Sequence, residues 1–174
     1  MIQLNRELAG KILDIGGGGE GIIGRLYGRQ VTAIDNRQEE LDAVPGGFEK
    51  ICMDATDLGF EDASFAHITF FFSLMFMDEK EQSKAIFEAS RVLKYGGKIH
   101  IWDCEIASAY PEPFCIDVEI QLPDVHISTT YGIGKLSTQS MDSITQMCRN
   151  AGLTLFLKKV ESDHFYLIFY KKSH

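Results

Sequence analysis

Nowhere in the 174 residues does an apolar stretch approach the roughly 20 residues that a membrane-crossing helix needs. No membrane partner is therefore expected. The opening Met1-Ile2-Gln3-Leu4-Asn5-Arg6-Glu7 lacks the basic segment, apolar core and small-residue cleavage site of a secretory signal, so a cytoplasmic location is expected. Runs of lysine or arginine are missing too, and the formal charge is -8. Nucleic-acid binding draws most of its strength from neutralising phosphates, which argues against such a partner. Cysteine is sparse: Cys52, Cys104, Cys115 and Cys148 form no C-x-x-C pair and have no histidine at metal-ligand spacing, so buried free thiols are expected and no metal. No internal repeat, low-complexity tract or interdomain linker breaks the chain, which reads as one domain over 1–174. A chain of this size buries roughly 70% of its unfolded surface, enough for a real core.

What is present alternates. Residues 11–15 form an apolar strand stopped by four glycines, after which Ile22, Ile23 and Leu26 fall at helical spacing. A β-branched strand at 31–34 ends at Asp35, and a brief helix covers 39–43 before Pro45-Gly46-Gly47. Strands follow at 48–53 and 66–72, the latter apolar throughout, as a strand covered on both faces should be. Across 78–93, Ala85, Ile86, Ala89, Val92 and Leu93 share one helical face, with Gly96-Gly97 as the stop. A fifth strand spans 98–102. Next comes an irregular segment holding Pro111, Pro113 and Pro123, whose alternating runs at 115–122 and 125–130 suit a hairpin insert within 103–136. A helix at 137–151 and two strands at 153–160 and 165–170 close the chain as an antiparallel pair. The pattern implies an α/β fold: a three-layer α-β-α, doubly wound, seven-stranded and mainly parallel sheet with an antiparallel last strand.

In such a sheet ligands bind outside the carboxyl ends of the strands, where the strand order reverses. Gly16-Gly17-Gly18-Gly19-Glu20-Gly21 satisfies G-x-G-x-x-G, whose missing side chains let backbone amides approach a ligand. A plain glycine-rich turn would satisfy the pattern equally well. Asp14, two residues before the first glycine, separates the ligand types: a dinucleotide pyrophosphate would face an anion there, whereas a cationic ligand would gain from it. Ile12-Leu13-Asp14-Ile15-Gly16-Gly17-Gly18 closely resembles motif I of the class I, Rossmann-like S-adenosylmethionine-dependent methyltransferases, methyltransferase type 11-like members in particular.

That resemblance implies S-adenosylmethionine as cofactor and S-adenosylhomocysteine as product. It implies that Asp14, with Gly16, Gly17 and Gly18, holds the loop and the methionyl end, and that Ile15 lines the adenine pocket. Asp35, 17 residues beyond Gly18, would take both ribose hydroxyls in charge-assisted bonds, and Asp54-Ala55 would receive the adenine. Asn36, Phe71 and Phe72 would line the same pocket. Arg91-Val92-Leu93-Lys94-Tyr95-Gly96-Gly97 and Phe60-Glu61-Asp62-Ala63-Ser64-Phe65-Ala66 resemble two further family turns, with Tyr95 in place of a proline and Ala66 in place of an aspartate. The Gly19-Glu20-Gly21 step is also longer than usual. The resemblance covers about residues 11–102.

Methyl transfer from a sulfonium is an in-line displacement in which positioning and desolvation do much of the work. A general base is needed only if the acceptor must lose a proton, and Asp103, Glu105, His126 and Tyr131 are the candidates. The Asn/Asp-Pro-Pro-aromatic motif that family members methylating amide or amino nitrogens show is absent after the fourth strand, so adenine-N6 and protein-glutamine methylation are not expected. Phe70 to Met77 instead suits an aromatic or lipophilic small-molecule substrate. Only ten residues precede the first strand, where many family members carry covering helices, so the 110–134 insert or a second subunit of a homodimer is expected to cover the site. Two other readings stay open: an NAD-dependent oxidoreductase using the same glycines and Asp35, and a non-catalytic S-adenosylmethionine-binding module.

Overall fold

The computed structural model describes residues 1–107, 113–134 and 138–173. Its main sheet has seven strands: β2 (Ile12–Ile15), β3 (Val31–Asp35), β4 (Glu49–Cys52), β5 (Phe65–Phe71), β6 (Leu93–Asp103), β9 (Leu153–Val160) and β10 (Phe165–Lys171). Their order is β4-β3-β2-β5-β6-β10-β9, with β10 antiparallel to both neighbours. The chain steps outward from β2 to β4, then returns to place β5 on the other side of β2. The order therefore reverses between β2 and β5, the place where a ligand crevice opens.

β2 is buried from end to end, and β5 everywhere but Ala66 and His67, because helices and a small sheet cover both faces. On one face, α3 (Glu79–Val92) and α4 (Met141–Asn150) bury Ala85, Ile86, Ala89, Ile144 and Cys148 against Leu13, Ile68, Phe70, Ile99 and Ile101. Both helices begin in capping boxes. Glu81 N donates to Asp78 Oδ1 and Asp78 N to Glu81 Oε2, each at 2.8 Å; Ser140 and Ser143 exchange the corresponding bonds. On the other face lie α1 (Ile22–Tyr27) and a three-stranded sheet, β1 (Ile2–Gln3), β7 (Phe114–Gln121) and β8 (His126–Ile133). Every second residue of β7, namely Ile116, Val118 and Ile120, turns inward onto Phe71, Trp102 and Cys104. A further short helix, α2 (Gln38–Ala43), links β3 to β4.

The hairpin expected in 103–136 is thus present, but it forms a second sheet together with β1, which pairs in parallel with β7. Two expected boundaries move. Helix α3 ends at Val92, ahead of Gly96-Gly97, because Leu93 already pairs with Phe65 at the start of β6. Helix α4 begins at Met141, not at 137, and residues 135–137 and 108–112 lie outside the described residues. Among the described residues no helix is long and apolar enough to cross a membrane.

Candidate functional site

The glycine turn after β2 is built by close packing. Gly16 and Gly17 both donate to Ile34 O at 2.9 Å, tying the loop to β3. Gly16 has φ +76°, and a Cβ there would lie 2.4 Å from Ser73 Cβ. A Cβ on Gly18 would lie 2.8 Å from Asp35 Oδ2, so only glycine leaves the crevice beside Asp35 open. Beneath the turn sits Asp14, 2% exposed, with Thr69 Oγ1 donating to its Oδ1 at 2.6 Å. Burial, and to a smaller extent the charge of Asp35, push its pKa from 3.8 up to about 7 against the pull of the Thr69 hydrogen bond.

A cavity of about 750 Å³ opens at the carboxyl ends of β2, β3, β4 and β5. Gly16 and Gly18 border it, as do Asp35, Asn36, Asp54, Ala55, Phe72 and Tyr131, all residues expected from sequence. Asp14, Ile15 and Gly17 do not border it, nor does Phe71, whose ring packs in the core against Trp102 and the edge of Phe72. Asp35 Oδ1 accepts from Arg37 N at 3.0 Å. Asp54 Oδ1 accepts from the N and Oγ1 of Thr56, both at 2.8 Å, and these bonds hold its pKa below the usual carboxylate value.

Three of the four candidate bases lie away from the cavity. Asp103 is fully buried on β6, where it accepts from Met75 N, Cys104 N and Gln139 Nε2, so it ties the chain together. Glu105 accepts from Met141 N at the start of α4. His126 pairs with Glu119 at 2.5 Å on the exposed side of the hairpin. Only Tyr131 reaches the cavity. Its ring stacks on Phe72 with centroids 5.2 Å apart and planes at 12°, and its hydroxyl donates to Glu20 Oε2 at 3.3 Å. Burial and the charge of Glu20 raise the Tyr131 pKa far above 10, which keeps the phenol neutral.

Ser73, Phe76 and Met77, from the 70–77 stretch expected to suit an apolar acceptor, and residues 132–134, from the insert expected to cover the site, also border the cavity. So do Glu20, named from sequence only as an extra step in the turn, and Arg37, Glu40, Thr56 and Glu81, which the sequence did not point to. Of the two covers left open by the sequence, the insert reaches the cavity through β8. Glu20, Asp35, Glu40, Asp54 and Glu81 line the walls against Arg37 alone among the described residues. The site is therefore hospitable to a cation and poor for a pyrophosphate. No group of three or more His, Cys, Asp or Glu side chains among the described residues is arranged to hold a metal ion.

Comparison with known proteins agrees with this geometry. A family described as a methyltransferase domain matches residues 13–101, slightly more than half of the chain. No protein of curated function matches the sequence. Among solved structures, a protein from Pyrococcus horikoshii OT3 superposes with TM-score 0.72 at 19% identity, covering 96% of this chain and 84% of its own. An S-adenosylmethionine-dependent methyltransferase from Methanosarcina mazei superposes with TM-score 0.71 at 19% identity, covering 96% of this chain and 95% of its own. The glycopeptide N-methyltransferase MtfA complexed with S-adenosyl-L-homocysteine gives 0.61 at 13% identity, with 96% and 85% covered. At such identities the superpositions speak for the fold.

Proposed function

The chain belongs to the methyltransferase-domain family, whose cofactor is S-adenosylmethionine, and from that premise we propose that it methylates a small-molecule acceptor in the cavity between the glycine turn and β8. On this reading the chain is a single catalytic domain, with residues 103–136 as an insert that shapes the acceptor side. The observation that carries the reading is that Gly16, Gly18, Asp35, Asp54 and Ala55 border one cavity at the switch in strand order.

These residues fit the cofactor on three counts. The cavity is large enough for a ligand of this size, the Gly18 position leaves room against Asp35, and the walls are rich in carboxylates. Asp35 would accept from the ribose hydroxyls, Asp54 from the adenine amino group, and Ala55 would leave space for the ring. Asp14 would act through the loop on the methionyl ammonium. When bound, the cofactor supplies a methyl group already activated on a sulfonium. The chain's own part is then to hold the acceptor in line and to keep water out, a task that falls to the stacked Phe72 and Tyr131 and to Phe76, Met77 and Ile133.

Methyl-labelled S-adenosylmethionine incubated with the protein and with separated small-molecule, protein and nucleic-acid fractions of a cell extract tests the acceptor class. Enzyme-dependent label in the small-molecule fraction is expected. Label confined to protein or nucleic acid would overturn the small-molecule reading.

A further inference from the structure

Glu20 occupies the turn between Gly19 and Gly21, both left-handed at φ +63° and +59°, and Arg25 Nε donates to its carbonyl oxygen at 2.6 Å. The turn therefore aims its side chain at β8. There one carboxylate oxygen accepts from Thr129 Oγ1 and the other from Tyr131 at 3.3 Å. Each oxygen carries two lone pairs and receives one of these donors, so acceptor capacity remains on a carboxylate that borders the cavity and is held by its neighbours.

Through Tyr131, Glu20 adjoins an aromatic part of the cavity wall. Tyr131 stacks on Phe72, which is itself held in a left-handed conformation, φ +50°, with its N donating to Trp102 O at 2.8 Å. A non-glycine residue kept in that region marks a place where the fold fixes a side chain at some energetic cost. Phe76, Met77 and Ile133 complete the wall. Arg37 follows Asp35 and Asn36 and pairs with Glu40 at 2.7 Å, which commits the one cationic side chain of the lining, among the described residues, to the part of the cavity where the ribose is assigned. Arg25, next to Glu20, does not border the cavity and donates its Nε to the Glu20 carbonyl, so an acceptor's carboxylate or phosphate at this wall would face the Glu20 carboxylate.

Resting on the methyl-transfer reading above, we propose that the acceptor is an amine with an apolar, aromatic-sized body, and that Glu20 receives its nitrogen beside the Phe72–Tyr131 stack. The bound ammonium gives one proton to the Glu20 carboxylate, which passes it to solvent. The freed nitrogen lone pair forms the new N–C bond as the C–S bond breaks, its electron pair going to sulfur. The products are the methylated ammonium and S-adenosylhomocysteine, so charge and atoms balance with no further reactant.

The test uses the full chain saturated with S-adenosylhomocysteine and three probes with similar apolar bodies: phenethylamine, phenethyl alcohol and 3-phenylpropionate. Their affinities are read by NMR titration for wild type, Glu20→Gln and Tyr131→Phe. Phenethylamine should bind at least about tenfold more tightly than phenylpropionate, and in Glu20→Gln the ratio should fall to about threefold or less, with S-adenosylhomocysteine affinity held within about twofold. Tyr131→Phe keeps the stack and removes one donor from Glu20, so it should keep the preference for the amine. Equal or tighter binding of the acid, an unchanged ratio in Glu20→Gln, no binding of any probe, or a loss of S-adenosylhomocysteine affinity in Glu20→Gln would each overturn the proposal. Failure of S-adenosylhomocysteine to bind wild type would instead overturn the underlying methyl-transfer reading, and this proposal with it.

Discussion

Binding of S-adenosylmethionine should tighten as pH rises, with Asp14 as the origin. Its carboxyl group is buried under Gly17 and has a pKa near 7 in the free protein, pushed up chiefly by burial. A cation brought to the glycine turn favours the ionised form, so below pH 7 binding must release a proton. With a free-protein value of about 7 and a much lower bound value, affinity should fall about 20-fold between pH 7.5 and 5.5. Asp14→Asn cannot ionise, so its affinity should be weaker at pH 7.5 and nearly flat over the same range. Calorimetric titration in buffers of different ionisation enthalpy would count the released proton directly. The same shift acts on folding. Because the folded value lies above the unfolded 3.8, Asp14's contribution to the free protein's stability is fully present below 3.8 and is lost as pH rises to about 7, by on the order of 4 kcal/mol. A wild-type affinity independent of pH, or the same slope in Asp14→Asn, would refute the reasoning.

Three further outcomes follow from the packing. Gly16→Ala meets both a left-handed φ and Ser73 Cβ at 2.4 Å, so it should cost more than about 2 kcal/mol in chemical denaturation, whereas alanine at the exposed Gly46, with nothing within 4 Å, should change little. His100 is held neutral down to about 3 by burial first and then by His67 and Lys98. Its contribution to stability is therefore present above 6.5 and lost as pH falls toward 3, up to about 3 kcal/mol between pH 6.5 and 4. This slope opposes that of Asp14 over part of the range, so the check is the difference between wild type and His100→Gln in urea unfolding at each pH, which should shrink on acidification. Asp78→Ala removes one half of the α3 capping box and should destabilise by about 1 kcal/mol, read as a lowered urea midpoint with an unchanged slope.

Much of this fold is written locally. The strand, glycine turn and helix at 12–27, the capping residue Asp78 and the alternation of Ile116, Val118 and Ile120 each announce their element through a spacing that the backbone obeys. The two-residue strand β1 carries no such signal, since it exists only because Ile2 and Gln3 pair with Ile120 and Gln121. Gly96-Gly97 looked like the stop of α3, yet pairing of Leu93 with Phe65 ended the helix first. The residues expected at the cavity from motif I, Asp35 and Asp54-Ala55 were legible because each follows a strand of the parallel sheet at its carboxyl end. Asp103 also lies at such an end, but its side chain turns inward to accept from Met75 N and Gln139 Nε2, a choice set by distant partners. Glu20 was visible as an extra step in the glycine turn. Its contacts come from Thr129 and Tyr131, 109 and 111 residues away, and no local pattern encodes them.

The most direct measurement is calorimetric titration of the purified chain with S-adenosylmethionine, S-adenosylhomocysteine and NAD, repeated on Asp35→Ala. Saturable binding of the first two is expected, with little or none of NAD, and a loss of roughly tenfold to a hundredfold in the variant as the charge-assisted ribose bonds disappear. Binding of NAD alone, or S-adenosylmethionine affinity untouched by Asp35→Ala, would contradict the account.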